Sequence, residues 1–497
     1  MVSSMEATTP DRDDRSPQLP ISPEAGISRR TWLATAVLLV AAFMELLDVT
    51  MANVAVPAIR QDLGASFGQA QWVVAGYALA FAVALMTGGR LGDIWGRRKA
   101  FLAGLAGFLL TSLLCGVAPT PSFLIASRVL QGLAAAVMLP QVLASISVWF
   151  PAKRRAAAFG LLGAVTGIGA LTAPLIGGAL INANLLSLGW RPIFLVNLPV
   201  GLIAGIAAVY LVDESRSSRA LRLDPLGVVV GALGVFLVVF PFIQGRDAGW
   251  PAWIWILLGL AVPVFALFVA VERRKSRRDG SPLVDLALFR QRAFVAGLLV
   301  TLVFFAGVTA VAFVLMIFLQ SGFGYTPLRA GVSLVPLAFG VVVGSGMSIA
   351  LSKQIGRTVL QIGCLVSMGG AVWLSLVIGH QATALRIWDI VPPLGVLGLG
   401  IGLVVAPLAD MVLAAAPRES AGSASGLQAT MIQTGNAVGV AILGAIFFEE
   451  LVALGHGFTV SMQRTLFQEA AVFAITALLV FGMPRRSREE ERASGGD

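Results

Sequence analysis

The sequence predicts an all-α polytopic membrane protein of about fourteen transmembrane helices, built as two six-helix bundles flanking a central helix pair. Three observations carry this. Charged residues make up 12% of the 497 residues and hydrophobic ones 57%, whereas a soluble domain is roughly 25% charged. Apolar stretches of about 20 residues, each able to cross a hydrocarbon core, recur along nearly the whole chain. Basic residues fall in short clusters between those stretches rather than along one face.

The apolar runs place helices at 33–55, 70–90, 101–118, 122–147, 157–181 and 192–212, then 225–244 and 252–271. Six more follow at 294–319, 328–350, 358–379, 386–413, 421–447 and 467–483. The expected organisation is a disordered tail over 1–32, an N-terminal bundle over 33–212 and a central two-helix insert with its linkers over 213–293. A C-terminal bundle over 294–483 and a tail over 484–497 complete it. Gly89–Lys99 after the second helix resembles Leu351–Thr358 after the tenth. Internal duplication is the usual plan of secondary transporters, with the substrate site between the halves.

Charge tests the helix count. With the N-terminus in the cytoplasm, 28 of the 35 basic residues fall in cytoplasmic segments, six in outer loops, and Arg128 inside a span. A missed helix would scramble that bias, so both termini are expected in the cytoplasm. The net charge of +9 is thereby explained without a nucleic-acid partner. Only four of the basic residues are lysines, which, with abundant Ala and Gly, suggests a GC-rich bacterial genome and a cytoplasmic (inner) membrane. The polar first 30 residues do not read as a cleavable signal peptide, so the first helix is expected to be its own insertion signal. Cys115 and Cys364 lie in apolar spans and read as small packing residues.

Charges within spans are the informative ones, because each costs about 2.5–3.5 kcal/mol at a helix centre. Glu45 and Asp48 stand three apart in the first helix, on one face. Two carboxylates so close in a low dielectric resist both being ionised, which suits a proton-coupled carrier; the alternative is that both sit at the membrane edge and merely cap or hydrate the helix. Arg128 opens the fourth helix and cannot shed its proton. It needs a carboxylate, with the first-helix pair as candidate, or it snorkels to the outer interface. Gln131 is one turn further on. The segment Gly169 to Gly178, with Pro174 and Gly177, reads as a tight helix contact. The second half is poor in intramembrane charge: Asp410, Glu449 and Glu450 read as solvated helix ends. His380 and His456 lie in outer loops and make no metal site. No lysine follows a glycine, so there is no phosphate-cradling Gly-Lys-Ser/Thr loop. No Gly-x-Ser-x-Gly elbow or His-Glu-x-x-His motif points to hydrolysis.

These residues resemble the major facilitator superfamily, and within it the fourteen-helix drug:proton antiporter branch. Gly89-Arg-Leu-Gly-Asp93-Ile-Trp-Gly96-Arg97-Arg98-Lys99 is similar to the signature loop between helices 2 and 3. Leu47–Pro57 is similar to the branch's first-helix motif, Arg128–Gly132 to the fourth-helix motif, and Pro174–Gly178 to the antiporter motif. Ala173 stands where the antiporter motif usually has glycine, and Trp190–Gly201 is a further branch-like stretch. The resemblance runs from 33 to 483. It implies a rocker-switch exporter of hydrophobic or cationic drugs, dyes or natural products. Protons would be the coupling ion, there would be no cofactor, and the chain would be a monomer in the lipid bilayer. Asp48, Glu45 and Arg128 would couple protons, and Glu45, Asn53 and Gln131 would line the substrate cavity. Gly89, Asp93, Gly96, Arg97 and Arg98 would latch a conformational state. Two rivals remain: a metabolite importer or facilitator of the same fold, and a membrane scaffold without flux.

Overall fold

The computed structural model describes residues 28–150, 152–216, 224–279, 283–284, 286–380, 386–416, 421–453 and 455–484. The tails expected over 1–32 and 484–497 lie almost wholly outside these. The helices are α1 (Arg29–Leu63), α2 (Phe67–Trp95), α3 (Arg97–Gly116), α4 (Pro121–Trp149), α5 (Ala152–Ala183), α6 (Pro192–Leu195), α7 (Asn197–Leu211) and α8 (Pro225–Asp247). Then come α9 (Ala252–Asp279), α10 (Arg292–Ile317), α11 (Pro327–Ser333), α12 (Val335–Ile355), α13 (Thr358–His380), α14 (Ile387–Ala414), α15 (Ala421–Phe448) and α16 (Phe458–Leu479). Among the described residues, fourteen segments are long and apolar enough to span a membrane. Two of these are broken helices, α6–α7 and α11–α12. Proline explains both breaks: Pro199 and Pro336 cannot donate to the carbonyls four residues back, Leu195 and Val332, and their rings crowd those carbonyls.

The helix ends differ from those read in the sequence. α1 runs eight residues past 55, because Arg60 stacks over the Phe67 ring at 3.6 Å and Gly64 closes the helix at φ +62°. The Gly89–Lys99 loop is almost entirely helix. Gly89–Trp95 ends α2, Arg97–Lys99 begin α3, and Gly96 at φ +110° is the single joint between them. α16 begins nine residues before 467, at Phe458.

One pairing scheme occurs twice. α4 packs on α2 and α3, and α14 packs on α12 and α13. Backbones touch in both: a Cβ on Gly88 would lie 1.9 Å from the Ala136 carbonyl, and one on Gly402 would lie 2.1 Å from that of Val341. Likewise the first helix of each half contacts the last, α1 with α7 and α10 with α16. The halves meet along α2 and α15, where Gln71 donates to the Val440 carbonyl (3.0 Å) and Thr430 to that of Ala82 (3.3 Å). They also meet where α11 sits on α5. Of the central pair, α8 packs on α2 and α15, with Trp72 against Phe236 and Phe240. α9 turns Trp255, Ile256 and Val262 outward, an apolar surface suited to lipid.

The 272–292 linker is not uniformly solvated. Glu272 is fully buried, accepting from the Val284 N–H (2.9 Å) near the buried Asp224 that caps α8 through Gly227. Glu449, Glu450 and Asp410 are all at least partly exposed, and Glu450 pairs with Arg464 (2.7 Å) and His456 (2.7 Å).

Candidate functional site

Asp48 occupies the middle of α1 and is 1% exposed. Arg128 and Gln131 lie three apart on α4, hence on one face, and that face meets α1. Arg128 Nη1 donates to Asp48 Oδ2 at 2.5 Å, Gln131 Nε2 to Oδ1 at 3.0 Å, and Asn197 Nδ2 to Oδ1 at 2.8 Å. Ser112 of α3 accepts from Gln131 (2.8 Å) and from Asn197 (3.2 Å). The break before α7 sets Asn197 at a helix start, level with Asp48. Arg128 also donates to the Gln131 side chain (2.6 Å) and the Val73 carbonyl (3.1 Å), and lies over the Tyr77 ring at 4.3 Å.

This cage answers the energetic question raised by a charge within a span. An unpaired buried ion costs several kcal/mol, and a buried pair is tolerable only when its remaining lone pairs and protons are satisfied. Here each charge is balanced and surrounded by donors or acceptors. Arg128 is therefore not an interfacial anchor.

Glu45 is placed differently. It stays part-buried, one turn from Asp48, with Tyr77 Oη donating to it at 2.9 Å. The structure thus separates the two first-helix carboxylates into one sealed in a cationic cage and one reachable beside it. Gln131 is fully buried with both ends engaged in the cage, and Asn53 is 9% exposed with its carbonyl oxygen unpartnered.

At the Gly96 joint, Arg97 pairs with Asp93 four residues earlier at 3.1 Å. Arg98 instead donates to the Val209 carbonyl of α7 (2.5 Å). The N–H groups of Arg98 and Lys99 donate to the Glu214 carboxylate at 3.1 and 3.3 Å. An anion there complements the α3 N-terminus, and a Cβ on Gly96 would lie 2.3 Å from a Glu214 oxygen. Gly89 has room around it.

In the antiporter-like segment, Gly169 and Gly177 face α1: added Cβ atoms would lie 2.8 Å from Leu46 and 2.9 Å from Met51. Gly178 faces the other half, 2.6 Å by the same measure from the Pro327 carbonyl. Gly331 of α11 returns the contact, 2.3 Å from that of Pro174. Small residues here allow α5 to seat against both α1 and α11. Ala173 is buried among them.

Sequence reasoning did not single out Asn197, Ser112, Glu214 or Glu469. Asn197 lay in the quoted Trp190–Gly201 stretch, as a polar residue two before a proline. Glu469 sits mid-α16, 1% exposed, and adds one deep ionisable group to a second half read as poor in intramembrane charge.

The match to known proteins extends over this architecture. The family model described as Major Facilitator Superfamily matches residues 38–440. The chain belongs to that superfamily. As such it is a multi-pass membrane transporter and not an enzyme. A probable actinorhodin transporter of Streptomyces coelicolor is 42% identical over 90% of this chain and 79% of that protein. The tetracenomycin C resistance and export protein of Streptomyces glaucescens is 35% identical over 86% and 77%. The multidrug resistance protein Stp of Mycobacterium tuberculosis is 35% identical over 81% and 73%. Among solved structures, an auto-inhibited POT family peptide transporter superposes with TM-score 0.66 at 16% identity, over 91% of this chain and 96% of that one. A bacterial homologue of the human lysosomal transporter Spinster, inward-facing and occupied, has TM-score 0.66 at 15% identity over 92% and 97%. At such identities the superfamily fold is what is shared.

Proposed function

We propose that this transporter is a proton-coupled exporter of hydrophobic or cationic small molecules, such as drugs, dyes or natural products, in a bacterial cytoplasmic membrane. It would act as a monomer with both termini in the cytoplasm. The observation that carries the reading is the division of labour between Glu45 and Asp48. Glu45 is part-exposed and held by one neutral donor, so it can exchange a proton with water. Asp48 is sealed against Arg128, so its ion pair senses charge one turn away. Loading Glu45 removes a negative charge from beside the pair. Transferring the proton to Asp48 would release Arg128 from α1, and the interface between α1 and α4 could then rearrange. That is the kind of two-state element a rocker-switch requires. The relatives named for resistance and export support the outward direction, and Glu45 supports a preference for cationic compounds. The Asp93–Arg97 pair at the Gly96 joint would latch one state.

Ethidium efflux from liposomes holding the purified protein, under an imposed pH gradient, tests this. Wild-type efflux should follow the gradient, and Asp48→Asn should lose that dependence. Glu45→Gln, which leaves the cage intact, should lose it too. Efflux indifferent to the gradient, or variants matching wild type, would favour the importer or facilitator reading.

A further inference from the structure

The C-terminal half holds a buried carboxyl that the scheme above does not use. Glu469 lies at the middle of α16 with Oε1 sealed from solvent and without a hydrogen-bond partner. The helices packed on α16 offer no counter-charge. α10 carries only Arg292, at its first residue; α13 carries Cys364 and, at its last residue, His380; α15 has no charged or titratable side chain. Glu449 lies beyond α15, where Glu450 is held by Arg464 and His456. A carboxylate cannot persist there unpaired, so the side chain is the neutral acid in this arrangement.

Its location repeats that of the Asp48 cage. Asp48 lies where the first helix of its half meets the last, and Glu469 lies at the corresponding contact of α10 with α16. Gly307 of α10 makes the room, since a Cβ there would sit 2.7 Å from Glu469 Oε1. Two residues on, on the far side of α10 from Gly307, Thr309 donates to Asn436 (2.6 Å), which donates to Gln433 (2.7 Å).

We propose that Glu469 is a second proton-carrying site, in the C-terminal bundle, which is loaded when α10 and α16 are closed and gives up its proton when their contact opens to water. An O–H bond forms from a proton taken up on one side and breaks to water on the other, with no electron transfer. The inference rests on the proton-antiport reading and deepens it: the cycle carries one proton more than the Glu45–Asp48 site supplies.

Two measurements separate the possibilities. Difference infrared spectra of reconstituted wild type and Glu469→Gln at neutral pH should show a protonated-carboxyl band lost in the variant, and raising the pH should remove that band from folded wild type. Absence of the band, or a band that survives until unfolding, overturns the proposal. The second measurement is ethidium accumulation at steady state under a gradient of one pH unit with the potential clamped to zero. Each coupled proton contributes about tenfold per pH unit. Glu469→Gln should therefore reach a ratio about tenfold below wild type, and Glu469→Asp should recover it. Equal ratios for Glu469→Gln and wild type overturn the second site while leaving antiport standing. A wild-type ratio that ignores the gradient sinks the antiport reading instead. Should Glu469→Gln prove unable to fold or transport, the pH response of the wild-type band, assigned by its shift in Glu469→Asp, decides alone.

Discussion

The contact between first and last helices is built twice in this transporter, with opposite electrostatics. Between α1 and α7 the carboxyl belongs to the first helix, and Arg128, Gln131 and Asn197 converge on it. Between α10 and α16 the carboxyl belongs to the last helix and meets the bare backbone of Gly307. The same architecture thus holds one acid paired with a cation and the other without a counter-charge. A paired acid responds to its counter-ion, whereas an unpaired one responds to the opening of its packing. The two halves can therefore detect different events in one cycle.

The largest effect that tests this contrast comes from Arg128→Met. Removing one partner of a buried pair leaves the other charge uncompensated, at about 3–5 kcal/mol. Thermal unfolding in detergent should show that loss together with loss of flux. The double variant Arg128→Met with Asp48→Asn should regain most of the stability but not the coupling. A double variant as unstable as the single would mean that Arg128 acts by packing on the Tyr77 and Phe194 rings, 4.3 and 5.6 Å from its guanidinium, rather than by charge.

A smaller effect is expected at Asn197. Its amide is one of three donors to Asp48, and a hydrogen bond to a charged group is worth about 1.5–3 kcal/mol. Asn197→Leu keeps the branched shape and deletes the donor. Stability should fall within that range, and ethidium flux should be less tightly coupled to the pH gradient because the cage around Asp48 has lost one of its three donors. Unchanged coupling would reduce Asn197 to a spacer at the helix break.

These residues also show what the sequence could reveal. Asp48, Glu45 and Arg128 were legible because a charge within an apolar run is expensive enough to demand a reason. Asn197 and Ser112 were not, since a neutral polar side chain in a span is cheap and looks like packing. Glu214 was hidden because a linker charge does not disclose which helix end it will cap. Glu469 was overlooked for a hydropathy reason. Gln463 and Arg464 depress the first turns of α16 and moved its apparent start to 467, which set the glutamate at a helix edge. In fact Ser375 donates to the Gln463 carbonyl (2.9 Å) and Arg464 reaches Glu450, so those turns are helical and the glutamate is central. The fourteen spans were legible throughout, because the thickness of the hydrocarbon core sets their length.

Gly307→Ala gives the smallest expected effect and the sharpest view of the second contact. The added methyl would lie 2.7 Å from Glu469 Oε1 and 3.3 Å from Val472, and overpacking of this kind costs about 1–3 kcal/mol. If the cost arises from the glutamate, it should largely vanish when Gly307→Ala is made on Glu469→Ala, since shortening the side chain removes the atom in the way. Thermal unfolding of the two single variants and the double variant measures that coupling directly. A cost that persists in the double variant would place the pressure on Val472 and Phe473 instead. The glycine would then serve the approach of α10 to α16 as a whole, and the likeness between the two first-to-last helix contacts would be one of packing without chemistry.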